Sequence, residues 1–290
     1  METITTFGTL YLCATPIGNL EDMTFRAVRI LGEADLIAAE DTRHTRKLLT
    51  HFDIHTSLTS YHEHNKFEKG PELIELLLAG KNLVVVSDAG LPGIADPGSH
   101  LVELAIEAGI TVTPLPGANA ALSGLICSGL DTTKFTFVGF LPKTTKKRRE
   151  VLAGLVKNET TLLFYESPHR LKATLSELLE TFGERRAVAA RELTKKFEEF
   201  IRGSLVSLKE HFNVNQPRGE FALIIEGYDY SAENDETGDT DEPVSAYETV
   251  MKMVEQGIDK KIAIKEASVK LGLSKREVYQ AVLEAEKKVL

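Results

Sequence analysis

Between residues 9 and 115, short β-branched or apolar runs (TLYLCAT, DLIAAE, NLVVVSD, TVTPL) alternate with stretches of helical spacing such as 24–32 and 97–108. Runs that are apolar throughout predict strands buried on both faces, and their alternation with helices predicts βαβ units around a parallel sheet. After the break at Pro114, Pro116 and Gly117 come FTFVGFL, TTLLFYE, RAVAARE, FEEFIRG and GEFALIIEG, with only LVSLKEHF between the last two. Closer strands with fewer helices between them predict a second, mixed sheet. The expected organisation is an N-terminal α/β domain over 1–115 and a C-terminal α/β domain over 116–228. A linker over 229–242 and a helical tail over 243–290 follow. Apolar residues at helical spacing predict three tail helices, over 244–255, 260–271 and 275–288. Gly272 stops the second, and Ser274 with Glu277 forms a capping-box signature for the third. Both a helix-turn-helix and a small packing bundle fit this pattern.

Composition changes the picture in one place. The net charge of −9 argues superficially against a nucleic-acid partner, but residues 229–242 hold seven carboxylates and no base. Residues 243–290 hold nine Lys/Arg against seven Asp/Glu, which leaves −4 for the first 228 residues. The acidity thus sits mainly in a segment too polar to fold, and net charge decides nothing about RNA. Cys13 and Cys127 form no CxxC pair, so neither a disulfide framework nor a zinc knuckle is expected. Residues 1–6 lack a basic stretch leading into an apolar run, and no long apolar span occurs. A cytoplasmic protein without membrane attachment is expected.

Loops after parallel strands are where open α/β sheets bind ligands. The first carries Pro16, Gly18 and Asn19, a turn that lets backbone approach a ligand but is also an ordinary turn composition. The second reads Glu40-Asp41-Thr42-Arg43-His44-Thr45-Arg46. Asp41 or Thr42 can cap the next helix, and Glu40, Arg43 and Arg46 are placed to grip phosphate or orient a hydroxyl. Asp41 is the candidate for activating an acceptor. After NLVVV comes SDAGLPGIADPG, a loop of small residues suited to an adenosine or methionine moiety, with Asp88 able to accept from an ammonium or hydroxyl. It matches neither a Walker A loop nor GxGxxG. His62-Glu63-His64 has no evident third ligand, so no metal is expected.

Residues 143–149 carry five bases: Lys143, Lys146, Lys147, Arg148 and Arg149. They are candidates for phosphate contact or a solvated helix start. Arg170, in YESPHR, adds a base after a strand of the second half, where Ser167 can cap a helix beginning at Pro168.

In order along the chain, ATPIGNLEDMTFRA, AEDTRHTRKLL, VVVSDAGLPGIADPG, PLPGANAALSGL, FVGFLP, FYESPHR and GEFALIIEG resemble the tetrapyrrole methylase superfamily over about residues 8–227. They are most similar to its branch acting on small-subunit ribosomal RNA. The resemblance implies S-adenosylmethionine held between two α/β domains. By motif position, the residues around it are Ile17, Ser87, Asp88, Leu91, Asn119, Ala120, Glu166, Leu193 and Ala222. The first loop reads ATPIGN and the fourth VSDAG, where tetrapyrrole-modifying members carry GAGPGD-like and GGDP-like loops; this departure argues against a tetrapyrrole substrate. The ribosomal branch implies 2′-O-methylation of a cytidine ribose in the decoding region of 16S ribosomal RNA, by a homodimer. Asp41 is then the expected base and Arg43 the orienter of the ribose-phosphate. Two competing readings are a small-molecule methylase on the same fold and a non-catalytic RNA-binding assembly factor.

Overall fold

A computed structural model describes residues 7–94, 98–230, 245–255 and 257–289. They fall into two compact units, one within Met1–Tyr228 and one within Asp229–Leu290.

The first unit is built on two five-stranded sheets. One contains β1 (Thr9–Cys13), β2 (Leu36–Ala39), β3 (Leu58–Ser60), β4 (Leu83–Val86) and β5 (Thr111–Leu115), in the order β3-β2-β4-β1-β5 with every pairing parallel. The interleaved helices are α1 (Phe25–Glu33), α2 (Thr42–His51), α3 (Lys66–Leu78) and α4 (Ser99–Glu107). All four residues of β4 are buried because both faces are covered. Leu83 and Val85 pack with Leu73 and Leu77 of α3 and Leu101 of α4, while Val84 and Val86 pack with Leu31 of α1 and Leu49 of α2. Neighbouring strands β1 and β4 therefore lead into helices on opposite faces, which opens a crevice at their C-terminal ends. Thr24 caps α1 by accepting from the Ala27 amide. Only β3 escapes the hydrophobic pattern, being three half-buried residues, LTS, at the sheet edge.

The second sheet contains β6 (Phe135–Phe140), β7 (Thr161–Glu166), β8 (Arg186–Arg191), β9 (Glu199–Ser204) and β10 (Phe221–Ile225), in the order β6-β7-β10-β8-β9. β6 and β7 are parallel and the other pairings antiparallel, so the sheet is mixed. Its residues sort by alternation, interrupted by a bulge in β6 between Phe137 and Gly139. Leu162, Phe164, Leu223 and Ile225 face α7 (Leu171–Phe182) and α8 (Leu205–Val214), whereas Leu163, Ala190, Ala222 and Ile224 face α5 (Ala120–Ile126). Fully burying a side chain such as Phe164 contributes about 1.5–3 kcal/mol. α6 (Thr145–Ala153) follows β6. Contrary to expectation, α7 does not begin at Pro168 under a Ser167 cap. Residues 167–170 form a turn in which the Ser167 carbonyl accepts from the Arg170 and Leu171 amides, and the helix starts at Leu171.

In the second unit, α9 (Ala246–Glu255), α10 (Lys260–Lys270) and α11 (Lys275–Val289) enclose a core of Val250, Ala263, Ala267, Val278 and Val282. Ser274 and Glu277 form the reciprocal cap expected from sequence, Glu277 Oε2 accepting from the Ser274 amide at 2.7 Å and Ser274 Oγ from the Glu277 amide at 3.3 Å. The acidic linker, from residue 231 on, lies outside the described residues. Among the described residues no helix is long and apolar enough to cross a membrane. Cys13 is buried in β1, which pushes its thiol up to about 12, and Cys127 is exposed.

Candidate functional site

The crevice at the C-terminal ends of β1 and β4 is one wall of a cavity of about 350 Å³. Its framework is local. The Thr15 and Gly90 backbones pair reciprocally at 2.9 and 3.0 Å, and Thr15 Oγ1 donates to the Ser87 carbonyl at 3.1 Å. Gly90 sits at φ +78, a conformation that side chains with a Cβ rarely adopt, so the loop can turn back here and expose its backbone. The opposite wall is the edge of the second sheet. There the ends of β7 and β8 flank the start of β10, with Phe221 in register with both Glu166 and Arg191. Tyr165 connects to α5 by accepting from the Ala121 amide at 3.2 Å, and its ring lies 5.5 Å from that of Phe140.

The charge of the lining is one-sided. Glu40, Asp88, Glu166, Glu192 and Glu220 face one cation, Lys195, among apolar walls that include Ile17, Leu91, Leu193 and Ala222. Low-dielectric walls around an excess of carboxylate favour a cationic, partly apolar ligand and repel phosphate. Glu166 is buried and held in place, its Oε1 accepting from the Ser167 amide at 2.8 Å and Oε2 from Thr174 Oγ1 at 2.6 Å. Lys195 Nζ donates to Glu192 and Glu220, each at 2.9 Å. Although burial acts to raise it, Glu192 is held below the usual carboxylate range by Lys195 and by the Glu220 amide.

Of the residues expected to surround a cofactor, Ile17, Asp88, Leu91, Asn119, Ala120, Glu166, Leu193 and Ala222 line this cavity. Ser87 lies behind it, buried, with Oγ directed at the Ala89 and Gly90 carbonyls, where it shapes the loop. Asn119 caps α5 through the Leu122 amide. Asp96 and Pro97 of the same loop lie outside the described residues.

Asp41 and Arg43 stand beside the cavity rather than in its lining. Asp41 is the N-cap of α2, and Arg43 clasps its carboxylate, Nε donating to Oδ1 at 3.1 Å and Nη2 to Oδ2 at 2.7 Å. Those hydrogen bonds hold the Asp41 carboxyl well below the usual carboxylate range, which makes it a weak proton acceptor. The Arg43 side chain is 88% exposed and open to a further anion.

The basic run divides in two. Arg148 is paired with Glu177 and also donates to the Pro142 and Lys143 carbonyls, at 3.3 and 3.2 Å. Arg170 donates to the Leu141 carbonyl at 3.0 Å and lies 3.7 Å from Glu166. Both arginines brace the turn before α6; Lys143 is exposed on that turn, and Lys146, Lys147 and Arg149 are exposed in the first turns of α6. Elsewhere, the His62 and His64 rings lie 6.1 Å apart, and among the described residues no group of three potential metal ligands converges.

Sequence reasoning passed over Lys195, Glu192 and Glu220. Their signal is conformational: Glu192 and Thr194 take positive φ, 50° and 67°, which aims Glu192 and Lys195 at one another across the turn, and no residue pattern announces that. Phe140 and Tyr165 stood within recognised motifs without an assigned role.

The model of the tetrapyrrole (corrin/porphyrin) methylases matches residues 9–209. Ribosomal RNA small subunit methyltransferase I of Halalkalibacterium halodurans is 52% identical over 272 residues, 94% of this chain and 93% of the relative. Its namesake in Bacillus subtilis is 50% identical over 94% of each chain, and that of Synechocystis sp. 46% identical over 96% of this chain and 99% of the relative. Among solved structures, diphthine synthase superposes with a TM-score of 0.57 at 14% identity, covering 76% of this chain and 89% of its own. Uroporphyrin-III-C-methyltransferase from Thermus thermophilus superposes with a TM-score of 0.53 at 20% identity, covering 75% and 94%. At such identities the structures speak for the fold alone.

Proposed function

The chain belongs to the tetrapyrrole methylase family, and we propose that it uses S-adenosylmethionine to methylate small-subunit ribosomal RNA, at the 2′-oxygen of a cytidine ribose in the decoding region of 16S RNA. The observation that carries this reading is the cavity itself. It is apolar enough for an adenosine, and five carboxylates against one lysine match the sulfonium and ammonium of that cofactor. The names of relatives about half identical over nearly the whole chain support ribosomal RNA as the acceptor.

Bound there, S-adenosylmethionine supplies an electrophilic methyl group on a positively charged sulfur. The chain's own residues would hold and orient. Leu91, Ala120, Leu193 and Ala222 shape the apolar walls, and Asp88 offers an acceptor to an ammonium or hydroxyl. A ribose hydroxyl is a poor nucleophile, so in-line placement carries much of the acceleration. Because Asp41 is clasped by Arg43, we assign the two to positioning: Asp41 orients the guanidinium, and Arg43 holds the ribose-phosphate. Lys143, Lys146, Lys147 and Arg149 extend the contact along the strand. A cytoplasmic homodimer completes the proposal, with Leu122 and Ile126 on one exposed face of α5 as apolar surface for it.

The test is transfer of labelled methyl from S-adenosylmethionine to small ribosomal subunits prepared without this activity. Label in RNA is expected. Cofactor binding without labelled RNA would move the acceptor to a small molecule, and absence of cofactor binding would end the methyltransferase reading.

A further inference from the structure

A second concavity, of about 520 Å³, is lined by Pro168, His169, Lys172, Pro217 and Arg218, together with Gln216 and Gly219. Its position follows from the chain. Ser167 and Glu220 line the first cavity, and the next residues along each segment, Pro168 and Gly219, line the second. Two segments thus border both concavities, and the sign of the lining reverses between them. The first presents five carboxylates and one lysine; the second presents Lys172, Arg218 and His169 and no carboxylate. All three side chains are exposed. Lys172 also lies in the first turn of α7, whose amide end has no side-chain cap, so the helix dipole adds to the positive field.

Resting on the substrate reading above, we propose that this concavity binds a phosphodiester of the RNA strand next to the methylated nucleotide. A ribose 2′-oxygen sits on the carbon beside the one that bears the 3′-phosphodiester, so bringing it to the methyl donor brings a phosphate with it. That phosphate stays beside the 2′-oxygen, where Arg43 is assigned to hold it, while the acid-lined cavity repels the next phosphodiester along the strand and the adjoining cationic concavity receives it. Lys172 and Arg218 supply the charge, Arg218 with a fork suited to two phosphate oxygens. Neither residue belongs to the basic run that follows β6, so the two regions would hold different phosphates.

The experiment compares the wild type, the Lys172→Gln/Arg218→Gln double variant and the charge-keeping Lys172→Arg/Arg218→Lys variant. It measures kcat and KM for small ribosomal subunits at several salt concentrations, with S-adenosylmethionine affinity measured separately. For the glutamine variant, KM is expected to rise about tenfold or more. The slope of log affinity against log salt should flatten by about 0.7 for each contact removed. Cofactor affinity should stay at the wild-type value, and the charge-keeping variant should recover most of the KM. Wild-type turnover with an unchanged KM and salt slope in the glutamine variant would overturn this inference alone, as would a parallel loss of cofactor affinity. A wild type that methylates no RNA would overturn the substrate reading and this inference with it.

Discussion

The backbone amide of Asp41 donates to the carboxylate of Asp88 at 3.1 Å, across 47 residues of sequence. That bond ties the loop after β2 to the loop after β4, so the group facing the cavity and the segment presenting Arg43 move together. Asp88→Ala removes both the charge in the lining and the tie. Cofactor affinity is expected to fall about tenfold to a hundredfold, the scale of a hydrogen bond to a charged group. Asp88→Asn, which keeps an acceptor for the amide, should fall between that variant and the wild type. Calorimetric titration with S-adenosylmethionine reads both.

Asp41→Asn separates positioning from proton transfer. Asparagine caps a helix as well as aspartate does, so α2 is preserved while Arg43 loses its ionic partner. The KM for subunits is expected to rise by up to about fivefold, with kcat within about twofold of wild type, as for loss of one exposed ion pair. Were Asp41 the general base, kcat would instead fall by about 10²–10⁴. Steady-state kinetics at saturating cofactor distinguish the two.

Gly219 lies in the turn that carries Glu220 to the cavity. Its φ is +80, and a Cβ there would stand 2.3 Å from Cγ of Glu192. Gly109, which ends α4 with the Ile110 amide donating to the Ala105 carbonyl, has a similar φ of +72 with nothing within 4 Å of the added atom. Alanine at 109 should cost about 1–2 kcal/mol, the left-handed penalty alone. Alanine at 219 should cost more, because Glu192 and its bond to Lys195 must also shift. Urea denaturation of the two variants measures the difference, and equal midpoints would contradict this account of the turn.

How much was legible in the sequence follows from the same residues. LVVV at 83–86 announced a strand buried on both faces, and Ser274 with Glu277 announced a helix start, because each rests on short-range chemistry. Eight of nine expected cofactor residues line one cavity because strand ends that share a sheet edge converge wherever the chain separates them. What escaped depends on tertiary placement. The opposition of Lys195 to Glu192 and Glu220 rests on two non-glycine residues at positive φ, and the engagement of Arg148 with Glu177 crosses from α6 to α7. A run of five bases reads alike whether a member faces water or a carboxylate.

That Arg148–Glu177 pair carries a pH signature. Arg148 holds the Glu177 carboxyl below its ordinary value by hydrogen bonding, against some burial. A depressed folded-state value means the contribution is present above the unfolded value, about 4.3, and is lost as pH falls through the lower folded one. Glu177→Gln should therefore cost about 2 kcal/mol at pH 7, as for a charged hydrogen bond in a partly buried place. The gap to wild type should close on acidification below about pH 4. Denaturant titrations across that range test it, and a gap independent of pH would contradict the assignment.

The most direct measurement is the chemical identity of the product nucleoside. Small ribosomal subunits lacking the modification are incubated with the protein and methyl-labelled S-adenosylmethionine, and the RNA is digested to nucleosides and separated by mass. The account predicts label in a cytidine whose extra methyl stays with the ribose when the glycosidic bond is broken. Label that leaves with the base would contradict it.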